Sequence, residues 1–109
     1  MTGNAPISFR DGRLYVSQAA CNSFFGDSGA VALVRRGGDL LVLPVRHAAA
    51  GGYILKIRNS AGDRVITAPD FFRAEGLGER DVWDGPAGWS EDHAAVALHG
   101  FFFSKETRQ

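Results

Sequence analysis

The sequence predicts an α+β domain: a small mixed or antiparallel β-barrel-like fold built from two ββαββ half-repeats with two short helices. Three observations lead there. First, Gly12-Arg13-Leu14-Tyr15-Val16-Ser17 runs into a helix-like stretch ending at Gly26, and fifty residues on Gly62-Asp63-Arg64-Val65-Ile66-Thr67 runs into another ending at Gly76. Each block is a glycine turn, a β-prone strand, a hydroxyl fit to cap a helix, and a glycine able to stop that helix. Second, Ala30–Val34 and Leu40–Val45 are continuous apolar runs around Arg35-Arg36-Gly37-Gly38-Asp39, the pattern of a hairpin whose strands are buried on both faces. Third, an apolar content of 45% with eight Phe and two Trp supports one packed core rather than disorder. The expected organisation is one domain over residues 1–109, with half-repeats 7–45 and 53–103 and a disordered tail at 104–109.

Taken in order, Ile7–Arg10 alternates and meets Asp11-Gly12, a dipeptide suited to a two-residue hairpin turn, before strand Leu14–Val16. Ser17 is placed to cap a helix over Gln18–Phe25. Pro44 cannot donate to a ladder, so it belongs near a strand end or on an edge. Residues 46–52 read as an Ala/Gly connector. Tyr53–Arg58 and Arg64–Ile66 read as strands on either side of an Asn59–Gly62 turn. Thr67 is expected to cap a helix over Asp70–Glu75, where Pro69 enters the first turn at no hydrogen-bond cost and Asp70 complements the helix dipole. Asp81–Trp83 reads as a strand, Asp84–Gly88 as irregular loop, and His93–Phe103 as the last strand.

Charge narrows the function. Twelve basic residues balance twelve acidic ones, which argues against a wide nucleic-acid footprint but leaves room for a local patch. The longest apolar run, Leu40–Val45, is far too short to span a membrane, and the N-terminus lacks the pattern of a signal peptide. A cytoplasmic location without membrane contact is the expectation. Cys21 is the single cysteine, so an internal disulfide and a cysteine metal cage are excluded.

Arg64-Val65-Ile66-Thr67-Ala68-Pro69-Asp70-Phe71-Phe72-Arg73-Ala74-Glu75-Gly76-Leu77 resembles the swapped-hairpin signature of AbrB/SpoVT-type regulators. In that signature a Gly-Arg turn and strand lead into a proline-started short helix and a Gly-Leu pair. The resemblance is concentrated in residues 62–81, with a fainter echo over Gly12–Gly26. It departs from the signature by one extra residue between Arg64 and Pro69, and by Gly78-Glu79-Arg80-Asp81 where a compact Gly-Asp belongs. It implies a cradle-loop barrel of two interlocked ββαββ halves, here fused in one chain. It further implies DNA contact from loop arginines Arg10, Arg13, Arg58 and Arg64. Asp11 and Asp63 sit beside those arginines and weaken attraction for phosphate.

Candidate chemistry is sparse. Cys21 falls within the first helix with no histidine near in sequence, and reads as a small buried hydrophobe rather than a nucleophile. His93 and His99 in one regular strand share a face but stand about 20 Å apart, too far for one metal. His47 has no ligand-type spacing to either. Glu91 and His93 share a face without a serine elbow nearby. Gly26-Asp27-Ser28-Gly29 and Gly37-Gly38 lack the Lys-Ser/Thr ending of a phosphate loop. Arg35-Arg36 at the hairpin tip is the densest cationic feature and a candidate anion contact together with Arg10, Arg13, Arg58 and Arg64.

The aromatic cluster of the last quarter is the stronger signal. Trp83, Trp89, Phe101 and Phe103 are expected to present a partner surface, because a last strand with three successive phenylalanines puts rings on both faces. The expectation from sequence is a non-enzymatic protein-interaction module that regulates or assembles a larger protein, or associates with itself, without a cofactor or a metal. An AbrB-like DNA-binding regulator is the alternative, and a small hydrolase or metal enzyme around His93 and Cys21 is the second.

Overall fold

A computed structural model describes residues 7–45, 52–78 and 80–102. Phe103, Arg46, His47 and the 104–109 tail lie outside the described residues. The strands are β1 (Ile7–Arg10), β2 (Arg13–Val16), β3 (Ala30–Arg36), β4 (Asp39–Val45), β5 (Tyr53–Ile54), β6 (Lys56–Ile57), β7 (Arg64–Thr67), β8 (Trp83–Asp84), β9 (Ala87–Ser90) and β10 (Ala95–Leu98). The helices are α1 (Gln18–Phe24) and α2 (Pro69–Ala74). All strand pairs are antiparallel and form two five-stranded sheets. Sheet A has the order β6-β7-β2-β1-β8, and sheet B the order β5-β3-β4-β10-β9.

Register explains the core. Across sheet A, Ile66 pairs with Leu14, Leu14 with Phe9 and Phe9 with Trp83, so these four side chains line one face. Across sheet B, Leu33 pairs with Val42, Val42 with Val96 and Val96 with Trp89. Apart from Trp89, the two rows meet in one apolar cluster, which Cys21 and Phe25 of the first helical segment and Phe72 of α2 join. Alternation then sends the opposite set outward, and this set differs sharply between the sheets. Sheet A shows Lys56, Val65, Tyr15, Ser8 and Asp84 in one transverse row. Sheet B shows Val34, Leu41, Ala97 and Gly88.

The expected barrel does not close among the described residues. β5 ends one residue before β6 begins, so one extended segment edges sheet B and then sheet A. β8 and β9 do the same at the opposite edges across Gly85-Pro86. At neither corner does a ladder bridge the sheets: Leu55 donates its N–H to Gly29 O at 2.9 Å, and Pro86 has no N–H to give.

Local chemistry sets most of the short elements. Asp11 (φ 56) and Gly12 (φ 72) both adopt positive φ, as a type I′ turn between β1 and β2 requires. Ser17 caps α1 by accepting from Ala20 N at 3.1 Å, and Asp63 adds a second cap by accepting from Gln18 N at 2.8 Å. Pro69 starts α2 and Asp70 sits in its first turn, as expected. Thr67 is not the cap. It belongs to β7, opposite Arg13, and Ala68 occupies the N-cap position with no side-chain hydrogen bond. Pro44 lies one residue from the end of β4, beyond the last β10 partner at Val42, so its missing N–H breaks no third-strand ladder.

The last quarter departs most from expectation. Ala87–Ser90 is a strand rather than loop, and Tyr53–Arg58 divides between two sheets. The final strand covers only Ala95–Leu98. Gly100 (φ 73) turns the chain after it, where Phe102 N–H donates to Gly38 O at 2.9 Å.

Candidate functional site

The outer face of sheet B carries a cleft of about 420 Å³. Leu41 and Ala97, cross-strand partners on β4 and β10, form its floor. Arg36, Gly37 and Asp39 come from the β3–β4 turn, and His99 from the turn after β10. Ser90 and His93 come from β9 and the turn that follows it. Thus His93 and His99 line one cleft, although a regular strand would hold them about 20 Å apart on one side. The strand stops short of both. Ala94 takes a left-handed conformation (φ 51), costly for a residue with a Cβ, and closes the tight turn that carries His93.

Asp39 organises one end of the cleft. Gly100 N–H donates to its Oδ1 at 2.8 Å, and His99 Nδ1 lies 3.3 Å from its Oδ2. The Gly100 N–H, helped by His99 and opposed by slight burial, holds the Asp39 carboxyl below the ordinary carboxylate range. Arg35 and Arg36, adjacent in sequence, part company. Arg35 donates to Gly37 O at 2.8 Å, pairs with Glu75 at 3.2 Å and stacks on Phe102 with 4.4 Å to the ring centre. Arg36 opens to the cleft without a hydrogen bond or ion pair among the described residues.

The outer face of sheet A is cationic around an aromatic centre. Arg10 and Arg58 stack on the Tyr15 ring at 4.1 and 4.9 Å from its centre. Arg13 on β2 and Lys56 on β6 project to the same side. Asp11 approaches Arg10 at 3.8 Å. Asp63 is bound within its own turn: the Asn59 amide and the Gln18 N–H, with Arg58 beside them, hold its carboxyl below the ordinary range. Arg64 stands apart from the other loop arginines. It pairs with Val16 on the inward face, and its Nε is buried without a hydrogen bond.

The expected aromatic surface is corrected by register. Trp83 (8% exposed) lies opposite Phe9 and Phe101 (2% exposed) packs on Phe9, Phe72, Trp83 and Phe102, so both are core. Trp89 ends the inward row of sheet B on an edge strand and remains 41% exposed. Cys21 is buried in the core, in line with the structural reading of its thiol. Among the described residues no cluster of three or more His, Cys, Asp or Glu is arranged to hold a metal, and no helix is long and apolar enough to cross a membrane. The cleft itself was not legible from sequence. Its one local signal was the end of the apolar run at Leu98, followed by His99-Gly100, which limits the strand and frees His99 from it. Compared with known proteins, the chain matches no family model, no curated protein and no solved structure.

Proposed function

We propose that this chain is a non-enzymatic interaction module that docks on a larger protein along the free edge of β9, with Trp89 as the apolar anchor. The observation that carries this reading is the position of Trp89. It is a large side chain left 41% exposed on an edge strand, where one side of the backbone has no ladder partner among the described residues. An extended segment of a partner can add to such an edge, its backbone completing the ladder and an apolar side chain covering the indole. Affinity capture from native extract, with the retained protein identified by mass, tests it. The wild type and Val34→Ala are expected to retain the same partner and Trp89→Ala to lose it; equal retention by Trp89→Ala removes β9 as the docking edge.

The reading takes the scaffold as a fused, duplicated ββαββ unit of the AbrB-like kind. One register supports this. β2 and β7 pair about Tyr15 and Val65, fifty positions apart, so a twofold axis through that pair exchanges Leu14–Ile66 with Val16–Arg64.

A second reading, an AbrB-like DNA-binding regulator, is favoured by the grouping of Arg10, Arg13, Lys56 and Arg58 on one face of sheet A. It predicts retardation of mixed duplex at low salt that fades steeply as salt rises, and that is lost in Arg13→Glu/Arg58→Glu. An unshifted duplex at high protein concentration removes it.

A further inference from the structure

We propose that the cleft on the outer face of sheet B is a binding site for a small organic anion, a phosphate or carboxylate carried on an apolar body. The inference is independent of docking at β9. Arg36 at the end of β3 and His93 in the turn after β9 converge on the cleft as donors, with His99 of the turn after β10 beside them. Among the described residues the only carboxylate lining it, Asp39, is already committed to Gly100 N–H and to His99 Nδ1. That contact occupies Nδ1, so Nε2 is the nitrogen of His99 able to meet a ligand, and it donates there when the ring is protonated; Arg36 and His93 need no such condition. What the cleft offers unpaired is therefore donor capacity, with a guanidinium whose planar fork matches the oxygens of a phosphate or carboxylate. The backbone also bears a cost to place these groups, since Ala94 holds a left-handed conformation at the turn that carries His93. The floor differs from the walls. Leu41 and Ala97, 4% and 3% exposed, are apolar and belong to a small cluster separate from the main core, so the base of the cleft is apolar where its walls are polar. At about 420 Å³ the space is of the size that holds a small organic molecule.

The test is a titration of the full chain with phenyl phosphate, followed residue by residue through backbone amide NMR shifts at low salt. Saturable shifts are expected at Gly37, Ala97, His99 and Gly100. Arg36→Gln is expected to weaken binding by about tenfold, because it removes the cation facing the anion, and His93→Ala by about the same factor, because it removes a hydrogen bond to it. Inorganic phosphate is expected to bind about tenfold more weakly than phenyl phosphate, for want of the apolar contact. The proposal is overturned by the absence of saturable shifts up to roughly 10 mM ligand. Shifts centred on Arg10, Arg13 and Arg58, or an unchanged affinity in Arg36→Gln, overturn it equally. Equal affinity for the two phosphates overturns the role given to the floor.

Discussion

Asp39 and His99, sixty residues apart in sequence, meet at 3.3 Å where β4 and β10 run side by side. The same carboxylate accepts from Gly100 N–H, so one side chain ties the β3–β4 turn to the turn that delivers Phe101 and Phe102 into the core. Asp39→Ala is expected to lower stability by about 1 kcal/mol, a charge-assisted bond discounted for partial exposure. The pH dependence has a definite sign. The folded carboxyl ionises below its ordinary range, so its contribution is present above about pH 4 and fades as pH falls through the lower folded value. Urea midpoints measured from neutral to acid pH should show a shallower acid limb in Asp39→Asn than in the wild type.

Phe101 and Trp89 should separate cleanly. Phe101 touches four aromatic rings in the core, at centroid distances from 4.9 to 5.9 Å, and its truncation to Ala is expected to cost about 3–5 kcal/mol. Trp89→Ala is expected to cost about 1 kcal/mol, since the indole is already half in water. Chemical denaturation of both variants checks the order, and a larger loss in Trp89→Ala would reverse the burial assigned to the two rings.

Gly52 is tight for space rather than for conformation. A Cβ there would stand 2.8 Å from Val31 O and 3.0 Å from Val45 Cγ2, so Gly52→Ala must push the chain away from β3 just before β5 begins. The expected loss is about 1–3 kcal/mol. Hydrogen exchange should quicken at Tyr53–Leu55; unchanged protection would mean the segment has room to shift.

Cys21 is 2% exposed in α1. A thiol reagent should therefore modify the native protein only through unfolding, roughly 1000-fold or more below the rate of a free thiol peptide. Rates of labelling and of global unfolding should track one another across urea concentration. Labelling at the peptide rate would place the thiol at the surface.

The local features were legible in the sequence because they rest on near neighbours. Asp11-Gly12 and Gly37-Gly38 turn two hairpins, Ser17 caps α1 and Pro69 starts α2, each through contacts within a few residues. Thr67 misled because a hydroxyl before a helix fits a cap equally well as the last residue of a strand. Its pairing with Arg13 decided between the two. The phenylalanines misled for a related reason. Three in succession read as a strand with two apolar faces, yet the left-handed Gly100 and the hold of Asp39 turn Phe101 and Phe102 inward together.

Both candidate sites depend on strand pairs brought together from distant parts of the chain. The cationic face of sheet A exists because β7 lies beside β2, which sets Arg58 and Arg10 on one tyrosine. The cleft of sheet B exists because β10 lies beside β4 and ends early, so that His93 and His99 leave the ladder at opposite ends and line the same cavity. By itself the sequence determined the α+β composition, the two tight hairpins and the start of each helix, since turn, cap and alternation preferences act over a few residues. Tertiary structure alone decided which tryptophan is core, which arginines share a surface and which polar groups converge. A single step of register between distant strands exchanges the two faces of a sheet, and the packing of both inward faces into one core selects the register.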